Sequence, residues 1–300
     1  KLITGAHTRE GLPVLEAADG TATAYDLVAV ASGVNSNLIN LLENVAGQYE
    51  PPKTTRGYIC EFRSSESEIL RLMGRSVHVF LLDIPRFEFA AIIPKGPFAT
   101  VVMVGDDIDQ DLVHQFLENP VVRNVFPTDT VPCVCSCSPR INLGARKRPY
   151  GDRVVFIGDS GVTRLYKDGI GAAFRTGKAA ATTAVFHGVS KDDFEQHFWP
   201  ACQSIVNDNR VGKVMFATNA IMKRSRLTRR AMLTMARKEQ NDPDAYPHMS
   251  SLLWNMFTGS APYVEMFRGT LKPAFLYHLA TSVLASLFRR ADPPPARRVT

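Results

Sequence analysis

The 300-residue sequence has no Gly-x-Gly-x-x-Gly turn, no His-Glu-x-x-His motif and no Cys-x-x-Cys pair. Its seven histidines are scattered, and no Ser/His/Asp order is visible. Hydrolysis by a triad or by a helical zinc site therefore has no support. Long apolar runs are also lacking. The stretch "LKPAFLYHLATSVLASLFRR" offers about 16 apolar-leaning residues before two arginines, short of the roughly 20 that span a bilayer. The start, "KLITGAHTREG", has neither an apolar h-region nor a cleavage site. It lacks Met and reads like the inside of a domain, so a chain whose N-terminal part precedes Lys1 is expected. The odd count of five cysteines, without a secretory signal, points to a reduced, cytoplasmic compartment.

What is present is a chain 45% apolar, long enough for a sizeable core in one or two domains. The net charge is +6 but uneven. Residues 203–240 carry nine Lys/Arg against two acids, and residues 289–300 carry four Arg against one Asp, leaving −4 for the rest. So local a basic character suggests either a surface facing something anionic or a plain solvated helix face. Nucleic acid is not expected as a partner, because the cations are interleaved with Met, Leu and Ala and no reading module is visible. Peripheral membrane contact through 205–238 and 271–290 is one expectation; a core helix over a substrate cavity is the other.

Along the chain, "YDLVAVASGVNSNLINLL" reads as a buried strand at about 26–31 and a helix capped by Asn35 or Ser36. Residues 57–63, 76–83, 87–93 and 98–105 read as strands, the last three a meander with turns at Pro85-Arg86 and Pro94-Lys95-Gly96. "DQDLVHQFLENP" is a helix capped by Asp109. "VPCVCSCSP" is a strand by alternation, which puts Cys133, Cys135 and Cys137 on one face. That spacing chelates a metal poorly, so small packing residues are the plainer reading and no metal is expected. "DRVVFIG" (152–158) is a buried strand, 170–187 an Ala/Gly-rich helix, and everything later helical: 192–223, 226–239, 248–258 and 271–289.

The order β/α, meander, β/α, helices describes a nucleotide-binding domain interrupted by a substrate sheet. The expected fold class is α/β (α+β overall). Residues 1–50 and 140–190 form an incomplete Rossmann-like domain and 51–139 an inserted antiparallel substrate sheet. Residues 191–290 form a helical C-terminal region, and 291–300 a disordered tail.

One stretch carries the chemistry: "VVFIGDSGVTRLYKDGIGAAFRTGKAAA" (154–181). A strand ending in Gly158-Asp159 places a carboxylate at the C-terminal sheet edge, where open α/β folds bind ligands. A carboxylate accepts two hydroxyls, which suits a sugar or ribityl chain. Gly169-Ile170-Gly171 then opens a helix whose N–H groups and dipole favour negative charge. Arg164 and Lys167, just upstream, are placed to face a ring or phosphates, or to form a plain surface loop. On Gly-Asp alone, a capped strand–turn–helix is an equal reading.

Together with "DLVAVASGVNS", this stretch resembles two sequence signatures of FAD-dependent oxidoreductases of the p-hydroxybenzoate-hydroxylase type. "FEFAAIIPKGPFATVVMVG" looks like the "Y-x-W-x-F-P-K-G" segment of their geranylgeranyl-reductase branch, though Ala91 and Ile93 replace its aromatics. The resemblance covers about residues 20–190. It implies FAD as cofactor, Asp159 as ribityl ligand with Gly158 beside it, and Gly169, Ile170 and Gly171 beneath the isoalloxazine ring. It places Ala31, Ser32 and Gly33 near the cofactor; by position, Arg164 or Lys167 would stabilise negative charge on reduced flavin, a plain surface loop being the equal reading. It implies reduction of double bonds in an apolar, isoprenoid-like substrate, with NAD(P)H or a small electron carrier as donor. Alternatives are a flavin monooxygenase of an aromatic or polyene substrate, and a non-catalytic membrane-surface or partner-binding protein on such a scaffold.

Overall fold

The computed structural model describes residues 1–36, 38–42, 45, 52–126, 131–144, 148–242 and 244–288. It begins with strands β1 (Ile3–Arg9), β2 (Leu12–Ala17), β3 (Ala22–Ala24) and β4 (Val28–Val30), helix α1 (Leu38–Leu42) and strand β5 (Thr54–Arg56). Then come β6 (Tyr58–Arg63), α2 (Glu66–Met73), β7 (His78–Phe80), β8 (Phe87–Lys95) and β9 (Phe98–Gly105). Helices α3 (Gln110–Leu117) and α4 (Pro120–Arg123) precede β10 (Val131–Cys137), β11 (Arg140–Asn142), β12 (Tyr150–Gly151) and β13 (Val154–Phe156). Next are α5 (Gly169–Phe186), α6 (Lys191–Asp193), a π-helical turn (Phe194–Phe198) and α7 (Trp199–Arg224). The described chain ends with α8 (Arg226–Asn241), α9 (His248–Thr258), α10 (Tyr263–Thr270) and α11 (Pro273–Phe288). These elements divide between two compact units.

The first unit comprises residues 1–54, 140–214 and 255–265. Val154, Val155 and Phe156 are fully buried, as expected of a strand covered on both faces. β13 pairs in parallel with β4 (Val154 with Val28, Val155 with Ala29, Phe156 with Val30) and antiparallel with β12. Helix α5 turns Ala172, Thr176, Ala180 and Thr183 inward, a helical stripe of small side chains that lets the helix lie close to its neighbours. Phe194, Phe198, Cys202 and Ile205 extend that core. β1, β2 and β3 form a separate antiparallel sheet. Glu10 and Gly11, both at positive φ (54° and 76°), turn its first hairpin. Ser36, one of the two expected caps, accepts the Leu38 N–H at 3.2 Å.

The second unit comprises residues 55–139, 215–254 and 266–300. Its sheet has the order β10-β6-β9-β8-β7, with antiparallel pairing throughout. Ile92, Val101 and Met103 pack against Ile69 and Met73 of α2 and Leu112, Val113 and Phe116 of α3. Asp109 caps α3 by accepting the Leu112 N–H at 2.9 Å. From the other end of the unit, Lys223 is buried and donates to the backbone carbonyls of Phe87 and Glu88, the latter at 2.8 Å. Burial pushes its ammonium below the ordinary lysine range, against the opposing pull of Glu88 and Asp83.

Several expectations are corrected. The helices after residue 190 make no unit of their own; they are shared between the two units. α2 was not expected, although Ser65-Glu66-Ser67-Glu68 is a capping signal and Ser65 accepts the Glu68 N–H at 3.1 Å. α10 was missed too. The second meander turn falls one residue later than expected, because β8 stays paired through Lys95 opposite Phe98 and Gly96 turns at φ 60°. In β10 the register slips between Pro132, opposite Phe62, and Ser136, opposite Cys60: the two β10 residues are four positions apart and their partners two. Cys137 is exposed rather than packed. The Cys133 and Cys135 side chains and the tail lie outside the described residues. No single helix among the described residues is long and apolar enough to cross a membrane.

Candidate functional site

The parallel pairing of β4 and β13 brings two sequence motifs to one edge. Both strands end there, β4 into Ala31-Ser32-Gly33 and β13 into Gly158-Asp159. Their ends are tied together: the Val30 carbonyl accepts the Ile157 N–H at 3.0 Å and the Ser160 hydroxyl at 2.7 Å. Gly158 has φ 61°, and a Cβ there would lie 3.1 Å from the Ala173 methyl. Only glycine meets both conditions cheaply. The Gly158 N–H donates to the buried Thr176 hydroxyl at 2.9 Å, which itself donates to the Ala172 carbonyl. The turn is thus locked onto α5.

Asp159 is half-buried, and its carboxylate has no hydrogen bond or ion pair among the described residues. A Cβ at Gly169 would sit 3.6 Å from Asp159 Oδ1, so glycine keeps the space above the carboxylate open. The backbone carbonyl of Asp159 accepts from Asn142 Nδ2 at 2.8 Å, while Asn142 Oδ1 is buried with no partner. At the α5 start, Asp168 occupies the capping position without making a cap bond. The N–H groups of Gly169, Ile170 and Gly171 consequently have no partner among the described residues. Ile170 is 90% exposed. Gly33 turns at φ 69° with nothing within 4 Å of where a Cβ would be.

The edge therefore combines an open carboxylate, three open N–H donors at the positive end of an 18-residue helix and a glycine-lined space. It accepts a hydroxyl-bearing chain at Asp159 and negative charge at the helix start. A flavin is the cofactor implied by the resemblance. Its ribityl and ring portion fits this donor set, with Asp159 and the Gly169–Gly171 amides to hold it.

Arg164 and Lys167 are placed differently from the expectation. Arg164 pairs with Asp168 at 2.9 Å and with Asp208 at 3.4 Å, and donates to the Gly259 carbonyl at 3.3 Å. Arg175 also pairs with Asp168, at 2.6 Å. Asp168 is thus clamped between two guanidiniums at φ 58°, and a Cβ on Gly171 would fall 2.1 Å from its Oδ1. Arg164 is spent on this network rather than free to meet a ligand. Lys167 turns inward: it is buried, donates to the carbonyls of Asn255 (2.9 Å) and Ala261 (3.2 Å), and lies 4.0 Å from the centre of the Tyr263 ring. Burial, reinforced by Arg164, pushes its ammonium down to about 8.

Sequence reasoning missed the strap that holds this loop. Residues 255–265 return to the first unit, where the Tyr263 hydroxyl donates to the Leu165 carbonyl and Asp208 accepts the Val264 N–H at 2.9 Å. Asp208 sits unremarked inside a basic helix, and only Gly259 (φ 76°, abutting Asp168) gave a local signal. A groove of about 1090 Å³ in this unit runs between α5 and α7 past Phe174, Lys178, Ser204 and Asn207. Of the predicted site residues only Arg164 lines it. The strand-end site is the better candidate because unpartnered polar groups gather there. Among the described residues no group of His, Cys, Asp and Glu is arranged to hold a metal ion.

No protein-family model matches the chain, and no curated protein sequence does. Solved structures do match in fold. BrvH, a flavin-dependent halogenase from Brevundimonas sp. BAL3, is similar at TM-score 0.55 and 12% identity over 96% of this chain and 62% of its own. A variant of the halogenase PltM in complex with FAD is similar at TM-score 0.53 and 11% identity, over 95% of this chain and 63% of its own. The Diels-Alderase PyrE3 of pyrroindomycin biosynthesis follows at TM-score 0.51 and 14% identity, covering 85% and 54%. The chain thus spans less than two thirds of the length of these proteins, and what it shares with them is the FAD-binding flavoprotein fold.

Proposed function

We propose that the chain is the flavin-ring and substrate-sheet portion of an FAD-dependent oxidoreductase. The observation that carries this reading is the unpartnered Asp159 carboxylate facing three open N–H groups at the α5 start. Asp159 accepts hydroxyls of the ribityl chain, and its partnerless state avoids the cost of breaking an existing pair. The Gly169, Ile170 and Gly171 amides stabilise negative charge on the ring, as preorganised dipoles do. Bound FAD supplies the hydride chemistry. The chain's own part is to orient the cofactor; none of the site residues is asked to transfer a proton. By resemblance alone the substrate is apolar and isoprenoid-like, its double bonds reduced, with NAD(P)H or a small electron carrier as donor.

A second reading has its own support: BrvH and PltM, which the fold matches over nearly the whole chain, are halogenases. That is an argument from fold, and it favours an oxygen-consuming reaction. Flavin content is the first test, on this chain and on one extended upstream in its source. FAD is expected to copurify with the extended chain and to fall at least about tenfold with Asp159→Ala. No flavin in either chain would sink the proposal. Oxygen uptake coupled to product then separates the two reactions, being absent for a reductase.

A further inference from the structure

The groove between α5 and α7 plays no part in the strand-end site, and its walls belong entirely to the first unit. Its volume of about 1090 Å³ lies at the upper end for sites that enclose an organic ligand. Along α5 it presents a ring, two cations and a second ring surface, in that order. Phe174 is 69% exposed at one end. Arg175 and Lys178 come next. His187 closes the other end, stacked on His197 with ring centroids 3.7 Å apart and planes within 10°. His187 lies thirteen residues beyond Phe174, about 20 Å along the helix axis. Across the groove, the Gln203 and Ser204 side chains of α7 have no partner among the described residues.

The charges of the walls favour an anion. Arg164 and Arg175 are balanced by Asp168 and Asp208. Lys178 is exposed and has no ion pair or hydrogen bond among the described residues. Arg175 spends one nitrogen on Asp168 and keeps the others open. Among the described residues Asp208 is the only acid lining the groove, and it is buried against Arg164. Asp193 acts on both imidazoles from outside the walls and is held by the Ser190 hydroxyl at 2.6 Å and N–H at 3.0 Å. A ring, a cation pair and a ring are complementary to a ligand built as ring, pyrophosphate, ring, since cations hold phosphates and aromatic faces hold bases. A free phosphate would leave both ring surfaces unused. An acyl chain needs a continuous apolar wall, which Arg175, Lys178, Gln203 and Ser204 interrupt. Phe174 stands one turn from Ile170, so a ring held there lies at the end of α5 given to the flavin ring.

We propose that this groove binds a nicotinamide dinucleotide. The pyrophosphate sits at Arg175 and Lys178, the adenine on the His187–His197 stack, the nicotinamide at Phe174, and ribose hydroxyls at Gln203 and Ser204. That the dinucleotide serves as electron donor rests on the flavin reading; that it binds does not. The test is calorimetric titration of the 300-residue chain with NADPH, ADP and inorganic pyrophosphate. NADPH is expected to bind at least about tenfold more tightly than ADP, which leaves the Phe174 end empty, and pyrophosphate more weakly than either. Lys178→Gln is expected to weaken NADPH about tenfold, and His187→Ala about as much. His187→Phe keeps a stacking face and is expected to stay within about threefold of wild type. Phe174→Ala is expected to weaken NADPH and leave ADP unchanged. The three side chains are exposed, so the substitutions leave the core intact. No binding of NADPH, pyrophosphate binding as tightly as NADPH, or an unaffected Lys178→Gln would each overturn the inference. So would Phe174→Ala weakening ADP as much as NADPH. Flavin content is scored separately: flavin without NADPH binding overturns this inference alone, and NADPH binding without flavin overturns only the donor role.

Discussion

Lys167 gives the first unit a pH dependence that can be worked out in advance. Its ammonium is buried beneath the strap, bonded to the carbonyls of Asn255 and Ala261, stacked near Tyr263 and faced by Arg164, Asp168 and Asp208. In the folded chain it titrates at about 8, against 10.5 ordinarily. A lysine with a lowered value is disfavoured as a cation by folding. Below pH 8 both states hold the proton and the folded state bears the full penalty, about 3 kcal/mol. Between these two values the unfolded chain binds more protons, so stability rises with pH at about 1.4 kcal/mol per unit. By pH 9 the gain is about 1 kcal/mol, or about 2–4 °C in melting temperature. Urea and thermal unfolding of wild type and Lys167→Met, compared from neutral pH to pH 9, isolate the effect, because other groups cancel in the difference. The variant also loses two hydrogen bonds and a cation–π contact, which moves its baseline but not its slope. A wild-type-minus-variant difference that stays flat, or falls, as pH rises would refute the buried-cation reasoning.

Other outcomes follow from the same geometry. Gly171→Ala pushes Asp168 from between Arg164 and Arg175 and is expected to cost about 2–4 kcal/mol; in an Asp168→Ala background it should cost little, and equal costs in both would refute the clash. Phe156→Ala removes a fully buried ring that packs in one core with Val28, Val30 and Leu42, and should cost about 3–5 kcal/mol by urea unfolding. Cys202, whose thiol burial pushes up to about 12, should resist thiol reagents until the unit unfolds, while the exposed Cys137 reacts at once. Mass spectrometry of partly labelled protein decides the order, and early labelling of Cys202 would mean that its cover opens.

The sequence by itself determined the elements whose signals are local. A three-residue apolar strand ending in Gly-Asp, a glycine-opened helix and an Asp109 cap each declare themselves, because strand burial, φ freedom and capping are settled within a few residues. That "ASG" lies near "GD" was implied only by the family resemblance; the parallel pairing of β4 and β13 that brings the two to one edge is a finding of the structure. Tertiary structure decided the rest. Arg164 and Lys167 read as open cations until Asp208 and the 255–265 strap, some 40 to 100 residues away, are folded against them. Cys137 read as a small packing residue, and only the folded chain shows it exposed. The apolar run in α11 left core and interface equally open. The stripe that packs inward with Met235 contains Phe275 and Leu279, and a sequence window of uniform apolarity carries no record of that choice.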